Sequence, residues 1–236
     1  MKRFYREALV GETPEGFRVA LDGRAVKTQG GRAQVVPSRA LAEAMVAEWA
    51  EQGEVIDPAR LPFRDLADYA IDVIAPDPAE TRATLLGFAE TDTLCYRAFP
   101  DEPFAARQQT EWEPILAAAE ARFGVRFVRV AGVIHRPQPP ATLDALRMHL
   151  ATLDAFTLAA LHTLTSLAAS LIIGLTALEP DADLAALWHA ANLEELWQAD
   201  LWGKEPEAEA RRARRQAQFH AAARFAELVQ PGRRGA

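Results

Sequence analysis

Residues 155–178 read AFTLAALHTLTSLAASLIIGLTAL and contain no Asp, Glu, Lys or Arg. The stretch is long enough to cross a bilayer as a helix. However, His162 and several threonines and serines lower its hydropathy, and neither a Lys/Arg cluster nor an aromatic belt flanks it. A helix that is apolar on all sides also suits the centre of a helical domain. We therefore predict a buried central helix over residues 153–178 and no membrane insertion.

Helical periodicity continues on both sides of this stretch. The spacing of apolar residues predicts helices over residues 103–123, 141–151, 183–202 and 206–229, with one extended piece, VRFVRVAGV, after Gly124. A chain of 236 residues, half of them apolar, can bury a sizeable core. The C-terminal part of the chain is therefore predicted to be helical.

The N-terminal residues follow a different pattern. The first 36 residues form short runs with strand propensity, separated by Thr-Pro-Glu-Gly and Gly-Gly turn signals. Ser38 then caps a helix that extends to about Gln52. The sequence therefore predicts an α+β fold, with a small N-terminal antiparallel β-sheet/α domain over residues 1–60 and a larger, mainly α-helical domain over residues 61–236.

Composition limits the possible functions and locations. The formal net charge of −7 argues against general nucleic-acid binding, although residues 204–236 carry eight Lys or Arg and only four Asp or Glu. The single cysteine, Cys95, excludes an internal disulfide and favours a reducing compartment. The first residues, MKRFYREALVGETPEGF, resemble neither a secretory signal nor an import presequence. We expect the bacterial cytoplasm, or the mitochondrial matrix if the chain is a trimmed eukaryotic one.

Motifs for nucleotide binding and catalysis are missing. The sequence lacks GxxxxGK followed by Ser or Thr, GxGxxG, GxSxG and HExxH. The five histidines are scattered without the spacing of metal ligands. We therefore predict neither a cofactor nor a metal.

Two alternatives remain open on chemical grounds. One is a small-molecule enzyme that uses Cys95, Asp92 and a histidine brought in by folding, because Arg97 could lower the pKa of the thiol. A buried, inert thiol is the plainer interpretation. The other is an adaptor that binds an anionic partner through the arginine cluster Arg211–Arg215. Acids in the same helix favour a solvated, salt-bridged face there instead.

Residues 183–203 read DLAALWHAANLEELWQADLWG and hold three of the five tryptophans beside the acidic pair Glu194 and Glu195. On one continuous helix, Trp188, Glu195 and Trp202 share a stripe with Gln198 beside them. A buried stripe with an acid at its margin would explain this pattern. Indole rings beside a charge are also typical of protein–protein anchors. Trp197 lies opposite Trp188, so we expect at least one tryptophan to be exposed or covered by another element.

A set of segments in order along the chain resembles one protein family. The segments are LDGR at 21–24 with Lys27-Thr28, PSRALAEAMVAEWAEQ at 37–52, Pro62, AID at 70–72, TDTLCYRA at 91–98, Trp112 with Pro114, LHTLTSLAAS at 161–170 and LEELWQADLWG at 193–203. Together they resemble the ATP synthase assembly chaperones that handle the alpha subunit of the catalytic sector, the ATP-twelve family. The resemblance runs from about residue 3 to residue 228.

The resemblance implies a chaperone and not an enzyme. Such a protein, monomeric when free, binds newly made alpha subunit before the alpha–beta ring closes and leaves when the beta subunit arrives. The resemblance also implies a critical acid in the helix that ends in Trp-Gly, which fits Glu194 or Glu195. We therefore predict a partner-binding surface formed by Glu194, Glu195, Trp197, Gln198 and Trp202.

Overall fold

The computed structural model describes residues 1–230 and confirms the predicted α+β class. Its strands are β1 (Ala8–Thr13), β2 (Gly16–Leu21), β3 (Arg24–Ala25), β4 (Tyr96–Arg97) and β5 (Val130–Ala131). Its α-helices are α1 (Arg39–Ala50), α2 (Pro62–Tyr69), α3 (Pro78–Glu90), α4 (Pro103–Phe123), α5 (Pro140–Ala151), α6 (Ala155–Ala168), α7 (Leu171–Ala177), α8 (Leu184–Ala191), α9 (Leu193–Trp202) and α10 (Pro206–Val229). A π-helical segment, Ala70–Ile74, continues α2, and 3-10 turns lie at Pro58–Arg60 and Thr93–Cys95.

The N-terminal sheet is antiparallel in the order β1-β2-β3, as predicted. Asp22 and Gly23 form the two-residue connection between β2 and β3, and both have positive φ, 46° and 78°. This conformation is typical of the Asp-Gly hairpin turn whose twist matches that of its strands. The Asp22 carboxylate also accepts hydrogen bonds from the backbone N–H groups of Arg6 and Glu7, at 2.9–3.2 Å. The chain before β1 is thereby tied to the turn.

Contacts divide the chain into two compact units. The first contains Met1–Pro78, Asp154–Ala160 and the described part of the segment that begins at Ala221, and the second contains Ala79–Leu153 and Leu161–His220. The predicted domains, residues 1–60 and 61–236, were defined as units that fold independently, and contacts alone do not test this. The division into these two domains stays a prediction.

In the first unit, helix α1 packs on the sheet through its buried face, Leu41, Met45 and Trp49. Ser38 caps this helix as predicted, because its hydroxyl oxygen accepts a hydrogen bond from the N–H of Leu41 at 3.1 Å. The same hydroxyl donates to the carbonyl oxygen of Leu228. Ser38 therefore both caps α1 and connects it to the end of α10.

The prediction of one helix over residues 153–178 is wrong. The helix ends at Ala168, Ala169 takes a left-handed φ of 50°, and α7 begins after Ser170. Ser170 caps α7 through a hydrogen bond from the N–H of Ile173. The hydroxyl therefore stabilises a second helix start where the apolar pattern alone runs on. The predicted burial is confirmed, since Leu158, Leu161, Leu164, Leu171 and Ile173 are all 0% exposed. Within residues 1–230, no helix is both long enough and apolar enough to span a bilayer.

The predicted extended piece after Gly124 contains β5, which pairs in parallel with β4. Arg129 fixes it to α4, because its guanidinium bridges Glu113 and Glu120. Arg97 of β4 also binds Glu113, at 3.2 Å. The two acids of α4 thus hold both short strands in place.

Candidate functional site

The tryptophan-rich stretch forms two helices and not one, so the predicted helix over residues 183–202 is wrong. Asn192 interrupts it with φ −110° and ψ 16°, between α8 and α9. The side-chain amide of Asn192 donates to the carbonyl oxygen of Trp188 at 2.7 Å, which also accepts from the backbone N–H of Asn192 at 3.2 Å. The stripe predicted across Trp188, Glu195 and Trp202 therefore does not exist as one helix face.

The tryptophans of this stretch differ in exposure. Trp188 is 4% exposed, and its ring lies 5.4 Å from that of Phe219. Trp197 is half-buried, with its ring 5.5 Å from that of Phe104. Trp202 is 79% exposed and follows Leu201, which is 57% exposed. The expectation that at least one tryptophan is exposed or covered by another element is confirmed, since Trp202 is exposed and Phe104 covers Trp197. The C-terminal end of α9 presents an apolar pair to solvent.

The two glutamates in the first turn of α9 have different neighbours. Glu195 is half-buried and lies 3.3 Å from the guanidinium of Arg212, which also pairs with Glu209 at 3.7 Å. Glu194 is exposed and accepts only a long hydrogen bond, 3.4 Å, from the amide of Gln198. Glu194 makes no ion pair with any residue in the described part of the chain. Glu195 is therefore neutralised within the fold, whereas the charge of Glu194 faces solvent.

The arginine cluster Arg211–Arg215 is divided by the geometry of α10. Arg212 is held by Glu195 and Glu209. Arg215 donates to the carbonyl oxygen of Leu167 at 2.8 Å and lies over the Trp188 ring at 5.9 Å. Only Arg211 and Arg214 are exposed. Half of the cluster thus packs against its own unit, which weakens the interpretation as an adaptor for anions.

Cys95 and Asp92 do not form an exposed reactive pair. Both are 0% exposed. Burial, with the nearby Asp92 carboxylate, raises the pKa of the Cys95 thiol to about 12, so that it stays protonated at neutral pH. Arg97, the residue that could have activated the thiol, instead binds Glu113.

Asp92 has a structural role that accounts for its position. Its carboxylate accepts hydrogen bonds from the N–H groups of Leu94 and Ile172, both at 3.0 Å. Burial raises the pKa of Asp92 to about 6 in spite of these donors. Asp92 thus accepts hydrogen bonds from two backbone segments, and its side chain and that of Arg97 bind different partners. No group of three His, Cys, Asp or Glu side chains in residues 1–230 is arranged to hold a metal ion.

Comparison with known proteins assigns the family. Residues 2–120 match the model of the ATP12 chaperone protein family. The chain belongs to this family. It is 35% identical to the crystal structure of Atp12 from Paracoccus denitrificans, with a TM-score of 0.91 over 97% of this chain and 98% of that chain. A structure from Agrobacterium tumefaciens is 39% identical, with a TM-score of 0.93 over 97% of this chain and 86% of that chain.

A curated relative is more distant. Protein atp12, mitochondrial, from Schizosaccharomyces pombe is 26% identical over 215 residues, which cover 86% of this chain and 74% of that protein. These findings confirm the predicted family and fold, and with the family its role as a chaperone in ATP synthase assembly. The location of the protein in the cytoplasm stays a prediction.

Sequence reasoning missed the residues that support the candidate surface. Phe104 covers Trp197, and Arg212 neutralises Glu195, although both are distant in sequence from α9. Neither contact has a local signal in the sequence, because each depends on how α4 and α10 pack. Trp49 and Trp112 lie in the core at 7% and 2% exposure, and the Trp112 indole N–H donates to the carbonyl oxygen of Ala190 at 2.8 Å.

Proposed function

We propose that the protein binds the free alpha subunit of ATP synthase through helix α9 and releases it when the beta subunit arrives. The observation that carries this proposal is the exposed pair Leu201–Trp202 on the same short helix as an acid with no internal ion pair, Glu194. Covering an exposed tryptophan with a partner removes its apolar surface from water, which is favourable. Tryptophan is also enriched among the residues that dominate binding energy.

A chaperone of this kind needs no reactive group. An unassembled subunit exposes an apolar interface that associates wrongly unless another protein covers it. The cover requires complementary shape, an aromatic anchor and a few charges that set the register. The burial of Cys95 agrees with a role in binding and not in catalysis.

The acid of the surface has a specific part in the proposal. Glu194 would face a basic side chain of the alpha subunit and imitate a carboxylate that the beta subunit presents in the finished ring. Because Glu195 is already paired with Arg212, only Glu194 keeps its charge available to a partner. We therefore assign the critical acidic role to Glu194, with Trp202 as the anchor and with Trp197 and Gln198 beside it.

The test measures the dissociation constant for purified alpha subunit. We expect Trp202→Ala to weaken binding about 30-fold, which corresponds to the ~2 kcal/mol typical of a hot-spot residue. Ile134→Ala is the matched control, because Ile134 is 78% exposed in the same unit but lies outside α9. If the control weakens binding and Trp202→Ala does not, the alpha subunit binds elsewhere.

The charge is tested separately. We expect Glu194→Lys to weaken the binding of alpha subunit at least 10-fold, and the matched Glu90→Lys change to leave it unaltered. Glu90 is likewise exposed, lies in the same unit and makes no ion pair within residues 1–230. Unaltered binding by the Glu194 variant would remove this acid from the mechanism.

A further inference from the structure

A cavity in the first unit has no part in the proposed binding of alpha subunit. It has a volume of ≈ 620 Å³ and opens beside β3. Leu21, Val26 and Trp49 supply apolar surface to its lining, together with Phe4, which is 63% exposed. Cavities of this size that combine apolar walls with a few polar groups are typical of ligand sites.

The charge of the lining favours an anion. Arg24 and Lys27 lie at the cavity, are exposed, and make no ion pair with another described residue. The acid in the lining, Asp22, stays ionised, because the backbone N–H groups of Glu7 and Arg6 that its carboxylate binds lower its pKa, and its charge also interacts with Arg24. Arg24 and Lys27 outnumber this one acid beside an apolar wall, which suits a ligand that is both acidic and apolar.

The adjacent sheet edge favours a peptide over a small molecule. Strand β3 lies at the edge of the sheet, and its residues Arg24 and Ala25 are exposed. Arg24 pairs with Leu21, and the N–H of Val26 donates to the carbonyl oxygen of Val19 at 2.9 Å. Antiparallel pairing alternates, so the N–H and C=O of Ala25 point away from β2. Beyond it, Lys27 bridges Ala33, which limits the open edge to Ala25.

We propose that this cavity binds a short acidic peptide segment that carries one aromatic or aliphatic side chain. The apolar side chain fills the space against Trp49 and Leu21. The carboxylates of its neighbours face Arg24 and Lys27. The peptide backbone exchanges hydrogen bonds with Ala25, the mode by which extended peptides add to an exposed sheet edge.

The experiment uses the full chain and a fluorescently labelled Asp-Glu-Phe-Asp-Glu peptide, with binding followed by anisotropy. We expect saturable binding that weakens as salt is raised, because the cations are exposed. We expect at least a 10-fold loss for the double variant Arg24→Glu/Lys27→Glu. The matched double variant Arg18→Glu/Arg136→Glu changes the net charge equally at exposed arginines outside the cavity and should bind as the unaltered protein does.

Peptide controls separate the sources of affinity. Replacing Phe by Ser in the peptide should weaken binding at least 10-fold, and a Lys-Lys-Phe-Lys-Lys peptide should not bind. Equal binding by both charge variants, or by the basic peptide, would overturn the proposal. So would absence of binding at millimolar peptide, or binding of 3-phenylpropanoate as tight as that of the peptide, which would indicate a small-molecule site. Binding of alpha subunit is measured separately with the Trp202 and Glu194 variants, which change no residue of the cavity lining.

Discussion

Helices α8 and α9 are neighbours in sequence and similar in composition, yet the tryptophan of α8 is buried and the terminal tryptophan of α9 is exposed. Trp188 of α8 is 4% exposed, whereas Trp202 of α9 is 79% exposed. One residue, Asn192, separates the two helices. Asn192, with its non-helical φ and ψ, thus divides one continuous apolar pattern into a helix whose tryptophan is buried and a helix whose terminal tryptophan is exposed.

The largest expected difference between the two helices is in stability. Trp188→Ala should lower the free energy of unfolding by about 3–5 kcal/mol, because it leaves a cavity beside Phe219. Trp202→Ala should change it by no more than about 0.5 kcal/mol, since its side chain is mostly in water. Urea unfolding of both variants measures this contrast. Similar losses in the two variants would mean that α9 is as much a part of the core as α8.

A pH effect should follow from Asp92, the buried acid that binds the N-terminal end of α7 beside this region. The folded protein keeps a proton on Asp92 up to about pH 6, whereas the unfolded chain loses it near the ordinary pKa of 3.8. The stability contributed by this group therefore falls as pH rises through that window, by up to about 3 kcal/mol. Unfolding free energies between pH 4 and about pH 7 test this sign.

Asp92→Asn is the variant that isolates this effect. It cannot ionise, so the decline in its unfolding free energy over this pH range should be smaller than in the unaltered protein. The part that remains belongs to Glu48, because burial raises the pKa of that carboxyl to about 7. The exposed acid Glu194, replaced by Gln, serves as the comparison and should leave the decline unchanged. A decline as large in Asp92→Asn as in the unaltered protein would assign the titration to other groups.

Replacing Asn192, the residue between α8 and α9, should have a smaller effect on the free energy of unfolding. Asn192→Ala removes the hydrogen bond to the carbonyl oxygen of Trp188 and favours a continuous helix, so we expect a loss of about 1 kcal/mol in the free energy of unfolding. Asn192→Gly removes the same hydrogen bond but tolerates non-helical geometry. If the Gly variant binds alpha subunit as the unaltered protein does and the Ala variant does not, the break itself is what orients α9.

The smallest expected effect distinguishes the two acids of α9. Glu195→Lys places a cation next to Arg212 and should lower the free energy of unfolding by about 0.5–1 kcal/mol, as for other partly exposed ion pairs. Glu194→Lys has no ion pair to break and should lower it less, because only the favourable position of an acid in the first turn of α9 is lost. Thermal unfolding at low and high salt measures both, and the difference should shrink as salt is raised. Equal effects would remove the distinction drawn between these residues.

The sequence was sufficient for features that depend on local chemistry. The three-stranded sheet follows from turn signals, and the start of α1 follows from the capping hydroxyl of Ser38. The limits of α4 and α10 follow from the helical spacing that predicted residues 103–123 and 206–229. Burial of the apolar stretch around Leu161 was also predictable, because residues 155–178 contain no Asp, Glu, Lys or Arg.

The helix breaks within the apolar stretches could not be predicted in this way, because they depend on hydrogen bonds between side chains and the backbone. Asn192 and Ser170 each end a helical pattern that the apolar residues continue, and both do so through hydrogen bonds whose outcome depends on packing. Of the candidate site, helical geometry predicted that the tryptophans could not all lie on one buried face. Which of them is exposed depends on the break at Asn192. The neutralisation of Glu195 could not, because Arg212 reaches it from another helix.

Because Trp202 is exposed, its intrinsic fluorescence can report on the binding of a partner. An indole in water emits at longer wavelength and is readily quenched by acrylamide, whereas the rings of Trp49, Trp112 and Trp188 are shielded. A partner that covers α9 should shift the emission to shorter wavelength and protect it from the quencher. Capture and release could then be followed in real time without attaching a dye.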